Sequence, residues 1–198
     1  DSSVYGNAEI SGNAMLADNA QVAFNAQISD GVVSGKDQDV AKKFELTDEE
    51  KEIELGNGVY TVHRIRALKD MPEHGIKAGD LGGWVGSEEN LSHSGQSWIA
   101  DDAIVCGNAK VSEDAYVRDH AIVSENAVVA GKSRVEDMAY VSGGSVVKDR
   151  AVVYSSAIVA GNAKVVDEGR VFDNAQVYGD TRISGNAKVY GKATVSDS

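Results

Sequence analysis

From Ile99 onward an Ile or Val stands on every sixth residue, through Val105, Val111 and Val117 to Ile183, Val189 and Val195, seventeen in succession without a gap. Four residues after these stand small side chains, as at Ala103, Ala109, Ala115, Ser133, Ser145, Gly169, Thr181 and Ala193. A fixed short period outranks any reading made window by window. Between the two sets lie turn-forming pairs such as Gly107-Asn108, Gly143-Gly144, Gly161-Asn162 and Gly185-Asn186. Gly and Asn tolerate the left-handed backbone that sharp corners demand. Each hexapeptide therefore reads as a short β segment centred on the branched aliphatic, followed by a corner where only a small side chain fits inside. A helix is excluded, because six is not a multiple of the helical period and recurrent glycines would break it.

The pattern resembles the hexapeptide-repeat family of left-handed parallel β-helices, all-β folds in which three hexapeptides close one triangular coil. Coils stack at the inter-strand spacing, so residues 99–198 predict a rod about 25 Å long with a solid Val and Ala interior. The same register opens the chain, with Val4, Ile10, Leu16, Val22 and Ile28 followed by Ala8, Ala14, Ala20 and Ala26, and it stops near Val33. Residues 1–35 thus read as further coils.

Residues 36–98 break the period. Lys36-Asp37-Gln38-Asp39 reads as a polar linker. The alternating runs Lys51–Leu55 and Val59–Leu68, joined by Gly56-Asn57-Gly58, carry a hairpin signal. The segment is read as an inserted hairpin and loop that cap the β-helix, since an open coil end is an exposed sheet edge. Tyr60–Leu68 (YTVHRIRAL), Lys77–Val85 (KAGDLGGWV), Glu89-Asn90-Leu91-Ser92 and Trp98 resemble the start of the YdcK-type proteins of bacteria and their phages, which are classed as transferases on fold alone. In that group the hairpin precedes the coils, whereas here coil sequence comes first. A circular permutation explains the order, with residues 34–42 as the new linker; a natural extra coil is the alternative.

The net charge of −12 argues against a nucleic-acid or anionic membrane partner, because both need clustered Lys and Arg. Cys106 is the only cysteine, so no intrachain disulfide forms. The lack of an initiator Met and of a signal-like stretch reads as a processed, trimmed or rearranged product, with the cytoplasm as default location.

Candidate chemistry is sparse. The hexapeptide family's acyltransferases use a general-base histidine under a long loop. The four histidines here are His63 in a strand, His74 in a turn, His93 in the capping segment and His120 at a corner, and no loop interrupts residues 99–195. No catalytic residue is assigned. Histidine spacings offer no zinc pair, so no metal and no cofactor is expected. Gly82-Gly83 reads as corner geometry, and Asp101, Asp102, Glu113, Asp114 and Asp119 as a solvated rim. The outer faces are more informative. Ile104, Ile122, Tyr140 and Ile158 recur at intervals of eighteen as an outward apolar column. Tyr154, Phe172 and Tyr190 form a second column, with Trp98 and Tyr116 nearby on the same face. The third face, Lys110, Val128, Val146, Lys164 and Arg182, is mixed. Continuous apolar stripes mark interfaces. The expected function is a non-enzymatic β-helical module that self-associates or binds a protein partner through these nine residues, with phage or prophage origin; an acyltransferase-like enzyme is the alternative.

Overall fold

The computed structural model describes residues 42–56 and 58–197, together with six two-residue strands within residues 3–33. The chain divides into two compact units, Asp1–Ala41 and Lys42–Ser198.

In the first unit the strands are β1 (Ser3–Val4), β2 (Glu9–Ile10), β3 (Met15–Leu16), β4 (Gln21–Val22), β5 (Gln27–Ile28) and β6 (Val32–Val33). They pair in parallel as β1 with β4, β2 with β5 and β3 with β6. Ser3 faces Gln21 and Glu9 faces Gln27, eighteen residues on, whereas Met15 faces Val32, seventeen on. The slip of one residue coincides with the end of the six-residue period. The small residues Ala8, Ala14, Ala20 and Ala26, and the junction read at residues 34–41, lie outside the described residues.

The second unit is a parallel β-solenoid. Two-residue strands recur every six positions from Trp98–Ile99 to Thr194–Val195 and stack into three faces. Each strand pairs with the one eighteen residues on, as Ile104 with Ile122 and Tyr140 with Ile158. The second residue of each strand points inward. Val105, Val123, Val141 and Val159 are fully buried, and so are the small residues Ala103, Ala121 and Ala157. Where a hydroxyl replaces the inward methyl, it donates to the carbonyl three residues back: Ser133 Oγ to Ala130 O and Ser145 Oγ to Ser142 O, both at 2.7 Å. A polar atom in a close-packed apolar column is tolerated because it is paired.

The corners have a chemistry of their own. Asp119, Asp137, Asp149, Asp167 and Asp173 all adopt φ near +60°, and each carboxylate accepts the backbone N–H of the corner one coil later. The pairs are Asp119 with Asp137 N at 3.2 Å, Asp149 with Asp167 N at 3.1 Å, and Asp173 with Gly191 N at 3.0 Å. Asp101 does the same for Asp119 N at 3.3 Å. The expected solvated rim is therefore in large part a carboxylate ladder that satisfies corner donors. Asp and Asn bear left-handed backbone better than other non-glycine residues, so Asp serves both needs.

Residues 44–98 build one end of this unit. Strand β7 (Phe44–Leu55) pairs antiparallel with β8 (Gly58–Ala67), which pairs with β9 (Leu81–Val85), and β9 pairs in parallel with Ile104–Val105. The hairpin thus continues one solenoid face into a nine-stranded sheet whose edge is β7. Its first strand starts at Phe44, earlier than the alternation from Lys51 suggests, because Phe44, Glu45 and Leu46 pair with Ala67, Arg66 and Ile65 before a bulge. Phe44, Ile65, Met71 and Leu91 close the end of the Val and Ala column. Gly82 and Gly83 lie within β9 and not at a corner. A Cβ on Gly82 would stand 2.5 Å from Trp98 Cζ2, and one on Gly83 2.6 Å from Ala103 O, so only glycine lets this strand press on the first coil. No helix among the described residues is long and apolar enough to cross a membrane.

Candidate interaction surface

Ile104, Ile122, Tyr140 and Ile158 lie in direct register on consecutive coils, each with its side chain half-exposed. Trp84 heads the column, paired with Ile104; Gln176 and Thr194 follow its last apolar member. Trp84 is itself buried, so the exposed part of the stripe runs from Ile104 to Ile158, three coil spacings or about 14 Å. The sequence period misses Trp84 because twenty residues, not eighteen, separate it from Ile104. The Trp84-Val85 dipeptide, an outward apolar residue before an inward valine, is the signal that could have found it.

The hairpin widens this surface. Val62, Trp84 and Cys106 form a buried cluster on the outside of the sheet, with Ile53, Leu55, Tyr60 and Ile104 half-exposed against it. Trp84 is clamped from several sides: Lys51 Nζ lies 4.0 Å from its ring centroid, and Asp102 accepts from Trp84 Nε1 at 3.4 Å and from Arg64 at 3.2 Å. These contacts, the indole first, hold the exposed Asp102 carboxyl below the usual range. Tyr140 is fixed by a 3.1 Å hydrogen bond with Ser124. Trp84 and Tyr140 are therefore each held in one orientation by their neighbours.

The second aromatic group divides. Tyr154, Phe172 and Tyr190 do stack, with ring centroids 4.9 and 5.3 Å apart, and Tyr190 is 60% exposed at the end of the ladder. Trp98 and Tyr116 belong to a different column, Trp98, Tyr116, Arg134, Val152, Arg170 and Lys188, offset by two residues across the inward valines. Trp98 is fully buried, which removes it from any free surface. The loop after β8 covers this part of the face: Met71 is buried beside Trp98 in the core, His74 stacks on Tyr116 at 4.3 Å, and Glu73 reaches Lys132 at 3.3 Å. The period gives the outward direction of Trp98 correctly but cannot see a loop folded over it.

Under the same cap lies a buried amine that sequence reasoning did not single out. Lys43 Nζ donates to Ser97 O at 2.7 Å and to Ser97 Oγ at 2.9 Å, with both residues fully buried. Burial, reinforced by Lys69 and opposed by Asp114, pushes the Lys43 amine down to about 7. The Lys43 N–H donates to His93 Nδ1 at 3.2 Å, and the His93 ring stacks on Phe44 at 4.5 Å. Burial lowers His93 and His74 from the ordinary histidine value. A Lys and Ser at this distance resemble a base and nucleophile, yet neither meets solvent, so a substrate has no way in. The pair anchors the start of β7 to the coil. His63 lies half-exposed 3.8 Å from Glu50, and His120 is exposed at its corner.

Among the described residues, shallow grooves lie beside the coils. One of about 730 Å³ runs along a corner line past Lys132, Asp149, Arg150 and Glu168. Smaller ones of about 300 and 240 Å³ lie between Arg134, Arg150, Arg170 and Lys188. No histidine lines any of them, and no group of three metal-binding side chains occurs among the described residues. The chain matches no protein-family model and no curated protein.

Proposed function

We propose that this chain is a non-enzymatic interaction module, a left-handed hexapeptide-repeat solenoid of the YdcK kind, that associates with a second copy or another protein through its apolar column. The supporting observation is the unbroken register of Trp84, Ile104, Ile122, Tyr140 and Ile158, joined sideways to Ile53, Leu55 and Tyr60. Isolated exposed apolar residues need no explanation, but a continuous stripe extending onto an adjacent arm is the composition of an interface centre. Burying apolar surface contributes about 25 cal/mol per Å² before the cost of bringing chains together is subtracted.

The test is mass in solution. Ile122→Lys with Ile158→Lys changes only outward positions, so the variant is expected to melt as the parent does but to sediment as a smaller species, in dilute buffer and in high salt alike. A parent that sediments as a monomer at every concentration, or a double variant that keeps the parent's mass, removes the column as a self-association surface.

A further inference from the structure

We propose that a second copy of this chain seats its acidic strand β7 against the cationic outer face of the solenoid that carries Arg134, Arg170 and Lys188. This contact uses different residues from the apolar column. On β7 the side chains alternate. Glu50, Glu52 and Glu54 are exposed, while Lys51, Ile53 and Leu55 are half-buried. Asp48, Glu49, Glu52 and Glu54 have no basic partner among the described residues, unlike Glu45, which holds Arg66 at 3.2 Å.

The complementary face runs down the column Arg134, Val152, Arg170 and Lys188, with Lys132 and Arg150 flanking it. Arg134 shares Glu136 with Arg118, and Arg150 holds Glu168 at 2.6 Å. Arg170 and Lys188 have no acidic partner among the described residues. In a protein with a net charge of −12, a run of five cations on one face is the exception. The chain's own carboxylates already meet three of the five, Glu136 at Arg134, Glu168 at Arg150, and Glu73 with Asp114 at Lys132, which leaves Arg170 and Lys188 for a partner.

Placement agrees, with β7 lying across the cationic column, since strands run across the solenoid axis and the column runs along it. The hairpin adjoins the first coil of its unit, whereas Arg170 and Lys188 belong to the last ones. Two copies side by side and antiparallel therefore bring each arm to the other's cations, giving two identical contacts related by a two-fold axis. Exposed ion pairs are individually weak and screened by salt, so the contact is selective and salt-labile.

Sedimentation of the full chain at low and at high salt, with charge-swap variants, tests this. Arg170→Glu with Lys188→Glu is expected to weaken self-association at least tenfold in dilute buffer without moving the melting temperature. Glu52→Lys with Glu54→Lys is expected to do the same, and the fourfold swap to restore the parent's behaviour. High salt abolishes this contact, whereas the Ile122 and Ile158 substitutions act at any salt, so the two surfaces are distinguishable. A parent that is monomeric at low salt, association indifferent to salt and to either charge reversal, or failure of the fourfold swap to restore it overturns the proposal. In that event the acidic edge serves only to keep strands from pairing with β7.

Discussion

Asp137 Oδ2 accepts the backbone N–H of Ser155, one coil further along, at 2.9 Å, while Asp137 itself holds φ at 59°. One side chain thus relieves an unpaired corner donor and sits where the backbone disfavours most residues. Asp137→Ala loses the acceptor and retains the strained backbone, and is expected to cost about 1 to 2 kcal/mol. Asp137→Gly loses the acceptor but not the tolerance of positive φ, and should cost less. Denaturant melts of the two variants check the order; equal losses would leave the backbone contribution without support.

Val147 is fully buried between Val129 and Val165 on neighbouring coils. Val147→Asp places an unpaired carboxylate among aliphatics, and is expected to cost several kcal/mol, on the order of 3 or more. Thermal unfolding is the readout, and a variant melting within about a degree of the parent would mean that this position does not face the interior.

Lys43 makes the capped end sensitive to pH. Its amine titrates near 7 in the folded chain against an ordinary 10.5. Below 7 both folded and unfolded chains hold the proton, and the cost of burying the ammonium is fully present. Between 7 and 10.5 the unfolded chain binds more protons, so stability rises with pH, and above that range the cost has gone. His74 and His93, also lowered from the ordinary 6.5 by burial, remove stability as pH falls below that value. The melting temperature is expected to climb from pH 6 toward pH 9. Lys43→Met keeps the apolar stem and removes the titrating amine; its slope above pH 7 should be shallower than the parent's, and an unchanged slope would rule out Lys43 as the source.

Cys106 is fully buried against Val62 and Trp84, and burial pushes its thiol up to about 11. Reactivity follows the thiolate and its exposure. A thiol reagent at pH 8 is therefore expected to label the folded protein at least an order of magnitude more slowly than the denatured one. Equal rates would show that the hairpin does not stay closed over this residue.

The coil was legible because its signal is local and repeated: an inward Val at every sixth residue reports the same environment each time. What escaped reading depends on contacts between distant residues. Lys43 and Ser97 are 54 residues apart, and neither stands out as an alkyl amine or a hydroxyl until the cap buries them together. Trp98 occupies an outward slot by period but is enclosed by a loop that has no period. The corner carboxylates looked like ordinary solvent-facing charge because a bond to a backbone N–H eighteen residues on leaves no mark on composition. Residues 44–46 carry no clean alternation, since a bulge resets the register within β7.

The eighteen-residue register also sets which insertions and deletions such a chain can absorb. Every hexapeptide from Ile99 presents a Val or Ile, and nearly every one a small residue, to the interior, so losing any whole one leaves the core filled. The surface is less forgiving. If residues 130–135 were excised, Val146 and Lys164 would follow Ile122 on the apolar column, and Tyr140 would rotate to the neighbouring face beneath Tyr116. Excising residues 130–147 instead would leave Ile158 following Ile122 and every face aligned. Length can therefore change freely in whole turns, whereas a change of one third of a turn would keep the fold and erase the surface it displays.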